Sequence, residues 1–150
     1  MSGRRFPIFI SLEEKRVLVV GGGQVAARRV NVLLSFGAAV TVVSPKLCPQ
    51  LAQMTDQIEW RQEHYSGIAQ DYMLIIAATN DRQVNRQIGV EAKALGLPVS
   101  VADAKEESTF WFPAIARGAG VVAGIVSEDG DHRRARQAAK LVREALKGEN

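Results

Sequence analysis

Four short stretches of this 150-residue chain carry residue types that could do chemistry. Directly after a β-branched run, "GGGQVA" (21–26) sets Gly21, Gly23 and Ala26 in a G-x-G-x-x-G/A pattern, with Gly22 between the first two. The logic of that pattern is geometric. One glycine makes a tight turn, the next lets backbone approach a pyrophosphate, and a small third residue lets the helix pack on the strand. The helix start then offers unpaired N–H groups to phosphate oxygens. Gly21, Gly22 and Gly23 are therefore expected at the phosphates of a bound dinucleotide, although a glycine cluster alone also serves as a simple turn.

The second stretch, "VVSPK", ends on Ser44, Pro45 and Lys46, about 20 residues beyond the glycines, where an NAD site usually supplies Asp or Glu to the ribose. Ribose recognition then falls to Ser44 and backbone groups. Lys46 suits a 2′-phosphate and equally suits an ordinary surface, so spacing leaves NAD and NADP both open. The third stretch, "AATND" (77–81), places Thr79 and Asn80 at the carboxyl end of a strand. There they stand beside a cofactor or cap the next helix. The fourth is Asp103, closing "PVSVA". A carboxylate there could take a proton while a hydride leaves. A loop aspartate capping its own turn, or pairing with Lys105, fits the same spacing.

These residues need elements to hold them. "RVLVV" (16–20), "AVTVVSP" (39–45), "MLIIAAT" (73–79) and "PVSVA" (98–102) read as buried parallel strands, and "IEWRQ" (58–62) as a weaker one nearer an edge. Between them, residues 24–37 and 80–96 show apolar positions at helical spacing and stop at Gly37 and Gly96. Strands alternating with helices imply right-handed crossovers and a three-layer α/β domain of the doubly wound, Rossmann-like kind over 1–104. Residues 105–150 then form a β-hairpin and a terminal helix. The hairpin spans 109–127, turns near Arg117 to Gly120, and starts at the aromatic triplet Phe110, Trp111 and Phe112. Both its faces are apolar, which predicts a subunit interface and a homodimer. A helix from about Asp131 to Leu146 follows, with Ala135, Ala138, Ala139, Val142 and Leu146 as its apolar stripe.

Composition removes several classes. No run approaches the ~20 apolar residues of a membrane span and no leader is evident, so the expectation is a cytoplasmic protein without a membrane partner. Cys48, the only cysteine, can form neither an intramolecular disulfide nor a thiolate cage. His64 and His132 belong to no ligand motif, so no metal site is expected. From Asp131 to Asn150 the basic residues are Arg133, Arg134, Arg136, Lys140, Arg143 and Lys147, against Asp131, Glu144 and Glu149. That excess suits a solvated face or a small polyanion. No aromatics interleave it, so nucleic acid is not expected.

Three segments, "FPIFISLEEKRVLVVGGGQVAARRVNVLLSFGAAVTVVSP", "IIAATNDRQVN" and "VSVADAKEESTFWFPA", resemble in order and spacing the precorrin-2 dehydrogenase family of sirohaem synthesis. The resemblance runs to about Ser127. It implies NAD-dependent oxidation of precorrin-2 to sirohydrochlorin, a homodimer, and a single important acid/base aspartate, which falls on Asp103. It also implies cofactor contacts at Gln24 and Val25, and at Pro45 and Lys46. A polycarboxylate tetrapyrrole substrate would give the basic terminal helix something to attract. The chain departs from the pattern in carrying Ser100 for a usual Asn, in lacking a Ser-Pro element after the hairpin, and in stopping at Asn150, where the family usually continues into a helical substrate domain. Two other functions stay open on these residues: a dinucleotide- or tetrapyrrole-sensing module without turnover, and a sirohydrochlorin ferrochelatase.

Overall fold

The computed structural model describes residues 4–69 and 71–148, arranged as two compact units. The larger is Ile10–Phe110; the smaller joins Met1–Phe9 to Trp111–Asn150.

The larger unit is built on five parallel strands, β1 (Arg16–Val20), β2 (Ala39–Val43), β3 (Glu59–Arg61), β4 (Leu74–Ala77) and β5 (Val99–Val101), in the order β3-β2-β1-β4-β5. The β-branched run "RVLVV" becomes the central strand because a parallel strand is buried on both faces; Val17, Leu18, Val19 and Val20 are all 2% exposed or less. Strand alternation sends Leu18, Val20, Ile75, Ala77, Val99 and Val101 to one face. There they pack with Ile88 and Ala92 of α3 (Arg82–Ala94). Gly89 of that helix brings its backbone against β5, where an added Cβ would lie 3.2 Å from the Val101 side chain. On the opposite face lies α1 (Gln24–Ser35), which buries Ala26, Ala27, Val30 and Leu33.

Two expected crossovers differ from the alternating pattern. Between β2 and β3 the helix is a single turn, α2 (Pro49–Ala52), started by proline at its first position. Between β3 and β4 there is no helix among the described residues. That connection is held instead by Glu91 of α3, which accepts the Tyr65 hydroxyl and, at 3.2 Å, the Ile68 N–H. Burial, followed by the bond to Glu91, raises the Tyr65 pKa.

Past β5 the chain doubles back through a 3-10 turn (Lys105–Glu107) and ties itself to the strand's outer edge. Thr109 Oγ1 accepts from Val99 N at 2.9 Å, Ser108 Oγ accepts from Val101 N at 2.8 Å, and Thr109 N donates to Val99 O at 2.8 Å. These bonds fix the loop that carries Asp103. Replacing Ser108, which is buried, by alanine leaves the Val101 N–H without its acceptor and is expected to cost about 1–3 kcal/mol in urea denaturation. A loss below about 0.5 kcal/mol would show that the serine does not hold the loop.

The smaller unit contains the hairpin β6 (Ala114–Gly118) and β7 (Val121–Ile125) and the helix α4 (His132–Lys147). The turn is the two residues Ala119 and Gly120, both at positive φ (51° and 74°), as a tight hairpin requires. The strands are shorter than 109–127, because the aromatic triplet precedes β6 rather than entering it. Phe110, Trp111 and Phe112 are half-buried, and the Arg5 guanidinium stacks 4.1 Å over the Trp111 ring. Nor are both hairpin faces left uncovered. The apolar stripe of α4 lies on one of them, burying Ala116 and Ala139 completely and setting Leu146 over Gly118. Val121 and Val122 remain 49% and 37% exposed.

Candidate active site

The sheet's strand order reverses direction between β1 and β4, and ligands of doubly wound sheets bind in the crevice outside the carboxyl ends at that point. The glycine turn follows β1 there. Gly21 has φ +128°, and a Cβ on it would stand 2.2 Å from Ala78 O in the loop after β4. A Cβ on Gly22 would fall 1.9 Å from Lys46 O and 2.6 Å from Ser44 Oγ. Both positions thus demand glycine because three loops converge on them. Gly23 is different: its backbone is extended (φ −94°, ψ −166°), and an added Cβ meets nothing within 4 Å.

Gly23 is also the N-cap of α1, whose first turn has neither a side-chain cap nor an acidic residue. The N–H groups that open the helix, beginning with Gln24 and Val25, therefore face open space beside the glycine. The start of α3 is closed by contrast: Asp81 accepts from Gln83 N at 2.9 Å and Val84 N at 3.4 Å. A cradle that a side chain would fill, under an uncapped helix start, fits a pyrophosphate.

Around the cradle, Ser44 is buried and donates its hydroxyl to Lys46 O at 2.7 Å, leaving only the oxygen's lone pairs for a ligand. Pro45 and Lys46 are exposed at the rim. Thr79 donates its hydroxyl to Asn85 Oδ1 at 2.7 Å and its N–H to the same oxygen at 3.0 Å, while Asn85 Nδ2 donates to Thr79 O at 3.0 Å. The completely buried Asn85 thereby fixes the turn that ends β4. Asn80 is exposed at its apex, and the helix cap is Asp81.

Asp103 stands just beyond β5, 39% exposed through its side chain. It pairs with Arg82 Nη1 at 2.5 Å, and the other terminal nitrogen of Arg82 binds Glu107. The Glu107 bond, reinforced by the charge of Asp103, raises the Arg82 pKa. Behind β5, on the α1 face, Arg29 Nη1 donates to Ser100 Oγ at 2.9 Å. Burial there, with a contribution from Arg28, pulls the Arg29 pKa down to about 10, so the group is still a cation at neutral pH.

A family model for NAD(P)-binding matches residues 8–114, which include every element of this crevice. The solved structure of SirC, a precorrin-2 dehydrogenase, superposes with a TM-score of 0.74 at 27% identity, covering 97% of this chain and 71% of that one. The chain belongs to the precorrin-2 dehydrogenase family. Its relatives include the multifunctional siroheme biosynthesis protein HemA of Ruminiclostridium josui, 47% identical over 131 residues that make 85% of this chain and 25% of that protein. The siroheme synthase of Photorhabdus laumondii is 40% identical over 147 residues, 93% of this chain and 30% of that protein. The chain therefore spans between a quarter and a third of these curated relatives.

Within this family site, Arg82, Asn85 and Glu107 are residues that the spacing did not single out. Asn85 left a legible signal. It occupies the stripe position whose i+3, i+4 and i+7 partners are Ile88, Gly89 and Ala92, so an amide sits where the pattern calls for an apolar side chain. In the smaller unit, Arg133, Arg136, Lys140, Arg143 and Lys147 recur at alternating spacings of three and four along one exposed face of α4, and Arg134 pairs with Asp129 at 2.8 Å. Glu149, counted among the acids of that segment, lies outside the described residues. No helix among the described residues is long and apolar enough to cross a membrane.

Proposed function

We propose that the chain is an NAD-dependent dehydrogenase that oxidises the polycarboxylate tetrapyrrole precorrin-2 to sirohydrochlorin, working as a cytoplasmic homodimer. The observation that carries the reading is the pairing, within one unit, of an open cradle at Gly23 with a half-exposed carboxylate at the carboxyl end of β5. Gly21, Gly22 and Gly23 with the N–H groups of Gln24 and Val25 would hold the pyrophosphate. Ser44, Pro45 and Lys46 would border the adenosine ribose, and Thr79 and Asn80 the nicotinamide half. Bound there, the dinucleotide supplies a hydride acceptor. Asp103 takes the proton that leaves the substrate with the hydride, so the substrate loses two hydrogens in all: one as hydride, one as proton.

NAD is favoured over NADP because 2′-phosphate recognition usually rests on an arginine. On the neighbouring strand, Arg61 spends its Nε on Glu59 at 2.9 Å, and Lys46 alone is a point charge at an exposed rim. The homodimer is supported by Phe6, Ile8 and Phe9, which are 88%, 75% and 74% exposed in the smaller unit, together with Val121 and Val122.

The test is anaerobic turnover of precorrin-2 with each nucleotide, following sirohydrochlorin by absorbance. Formation with NAD at a kcat/KM about tenfold or more above that with NADP is expected. Cofactor binding without turnover would favour a sensing module instead. Sedimentation of the same preparation at micromolar concentration should give twice 16.3 kDa, and a monomer would remove the dimer from the proposal.

A further inference from the structure

Arg82 is the first residue of α3, and its backbone is fixed by the Asp81 cap beside the end of β4. From there its guanidinium reaches across to the loop after β5 and divides: Nη1 holds Asp103 at 2.5 Å and Nη2 holds Glu107. That loop is stapled to β5 by Ser108 and Thr109, so the two carboxylates are presented to Arg82 from a fixed frame. The three side chains carry one positive and two negative charges. A third carboxylate brought to Asp103 would meet net repulsion unless Arg82 turned a donor to it.

The pair is also loosely held. Side-chain exposure is 44% for Arg82 and 39% for Asp103, but only 27% for Glu107. Exposed ion pairs exchange partners at little cost, and a guanidinium suits carboxylates in general because its planar donors match their oxygens. Arg82 holds Asp103 through Oδ1, so the ion pair rather than the substrate sets how the carboxylate is turned.

We infer that Arg82 is a positioning residue that changes partner when substrate arrives: Glu107 keeps one nitrogen, a substrate carboxylate takes the nitrogen that held Asp103, and Asp103 is released to accept the proton. The inference rests on the dehydrogenase reading above. The exchange itself moves no atoms between molecules. It makes recognition of the substrate's acidic rim the event that frees the base, so a compound without a carboxylate in that place leaves Asp103 tied.

The experiment is a double-mutant cycle on the binding of sirohydrochlorin, the product of the proposed reaction, without cofactor or turnover. Proteins compared are wild type, Arg82→Gln, Asp103→Asn and the double variant, with Arg82→Lys as a charge-retaining control and thermal melts to confirm folding. Arg82→Gln should weaken binding about tenfold, and Arg82→Lys should recover part of the loss. Asp103→Asn, which removes the competitor for Arg82, should tighten binding about fivefold when Arg82 is present and no more than about twofold when it is Gln. In turnover, Arg82→Gln should raise KM by more than it lowers kcat. Equal effects of Asp103→Asn in both backgrounds, or no sirohydrochlorin binding by a wild type that turns over, would overturn the exchange and leave the dehydrogenase standing. A wild type that neither binds nor turns over would overturn both.

Discussion

Asp103→Asn is expected to lower kcat for precorrin-2 oxidation by about 10²–10⁴-fold while leaving NAD affinity within about twofold, because a positioned proton acceptor typically contributes that much to a rate. The substitution is nearly isosteric. It keeps the side chain's shape, and Glu107 still holds the other Arg82 nitrogen. The lost ion pair is exposed, so the melting temperature should barely move. A variant with cofactor binding intact and chemistry gone separates the two halves of the crevice. Undiminished turnover would remove Asp103 from the mechanism and return it to a loop role.

Gly23→Leu is expected to weaken NAD binding about 100-fold or more, a loss of nearly 3 kcal/mol, with little change in fold stability. The reason is the contrast among three adjacent glycines. At Gly21 and Gly22 any side chain collides with backbone oxygens of neighbouring loops, so substitution there disrupts the fold and says nothing about binding. At Gly23 the backbone is ordinary extended chain and the space is open. A leucine would cost on the order of 1 kcal/mol as a poorer N-cap and would occupy the cradle in front of the α1 N–H groups. Calorimetric titration with NADH beside a thermal melt reads both quantities. Unchanged affinity would mean that the phosphates do not lie over Gly23.

The glycine contrast also marks what one-dimensional reading can reach. β1, β2 and β4, α1, α3 and α4 were legible because each is a local pattern, a β-branched run or a 3.6-residue stripe, that tertiary packing reinforces. The edge position of β3 was legible from its weaker run. The link between β3 and β4 was not, since its hold comes from Glu91, more than 20 residues away along the chain. The same applies within the site. Asp103 is legible at the end of its strand, but its partner Arg82 lies 21 positions distant, and Glu107 joins the same arginine from 25 positions away. Ser44 reads as the end of the second strand, which stops at Val43, and the use of its hydroxyl on Lys46 O depends on the shape of the turn that follows. The aromatic triplet reads as hairpin strand by its hydrophobicity, whereas β6 starts only at Ala114.

The staple after β5 has a wider consequence. An edge strand normally shows a ragged row of unused donors and acceptors to which another chain can add. Here Val99 gives its N–H to Thr109 and receives the Thr109 N–H in return, Val101 gives its N–H to Ser108, and Ala104 N donates to Val101 O at 3.2 Å. The opposite margin, β3, is only three residues long. The five-stranded sheet is thus sealed at its β5 margin against growth by strand addition. The loop that carries Asp103 thus also guards against amyloid-like stacking, so a mutation that frays it would threaten solubility.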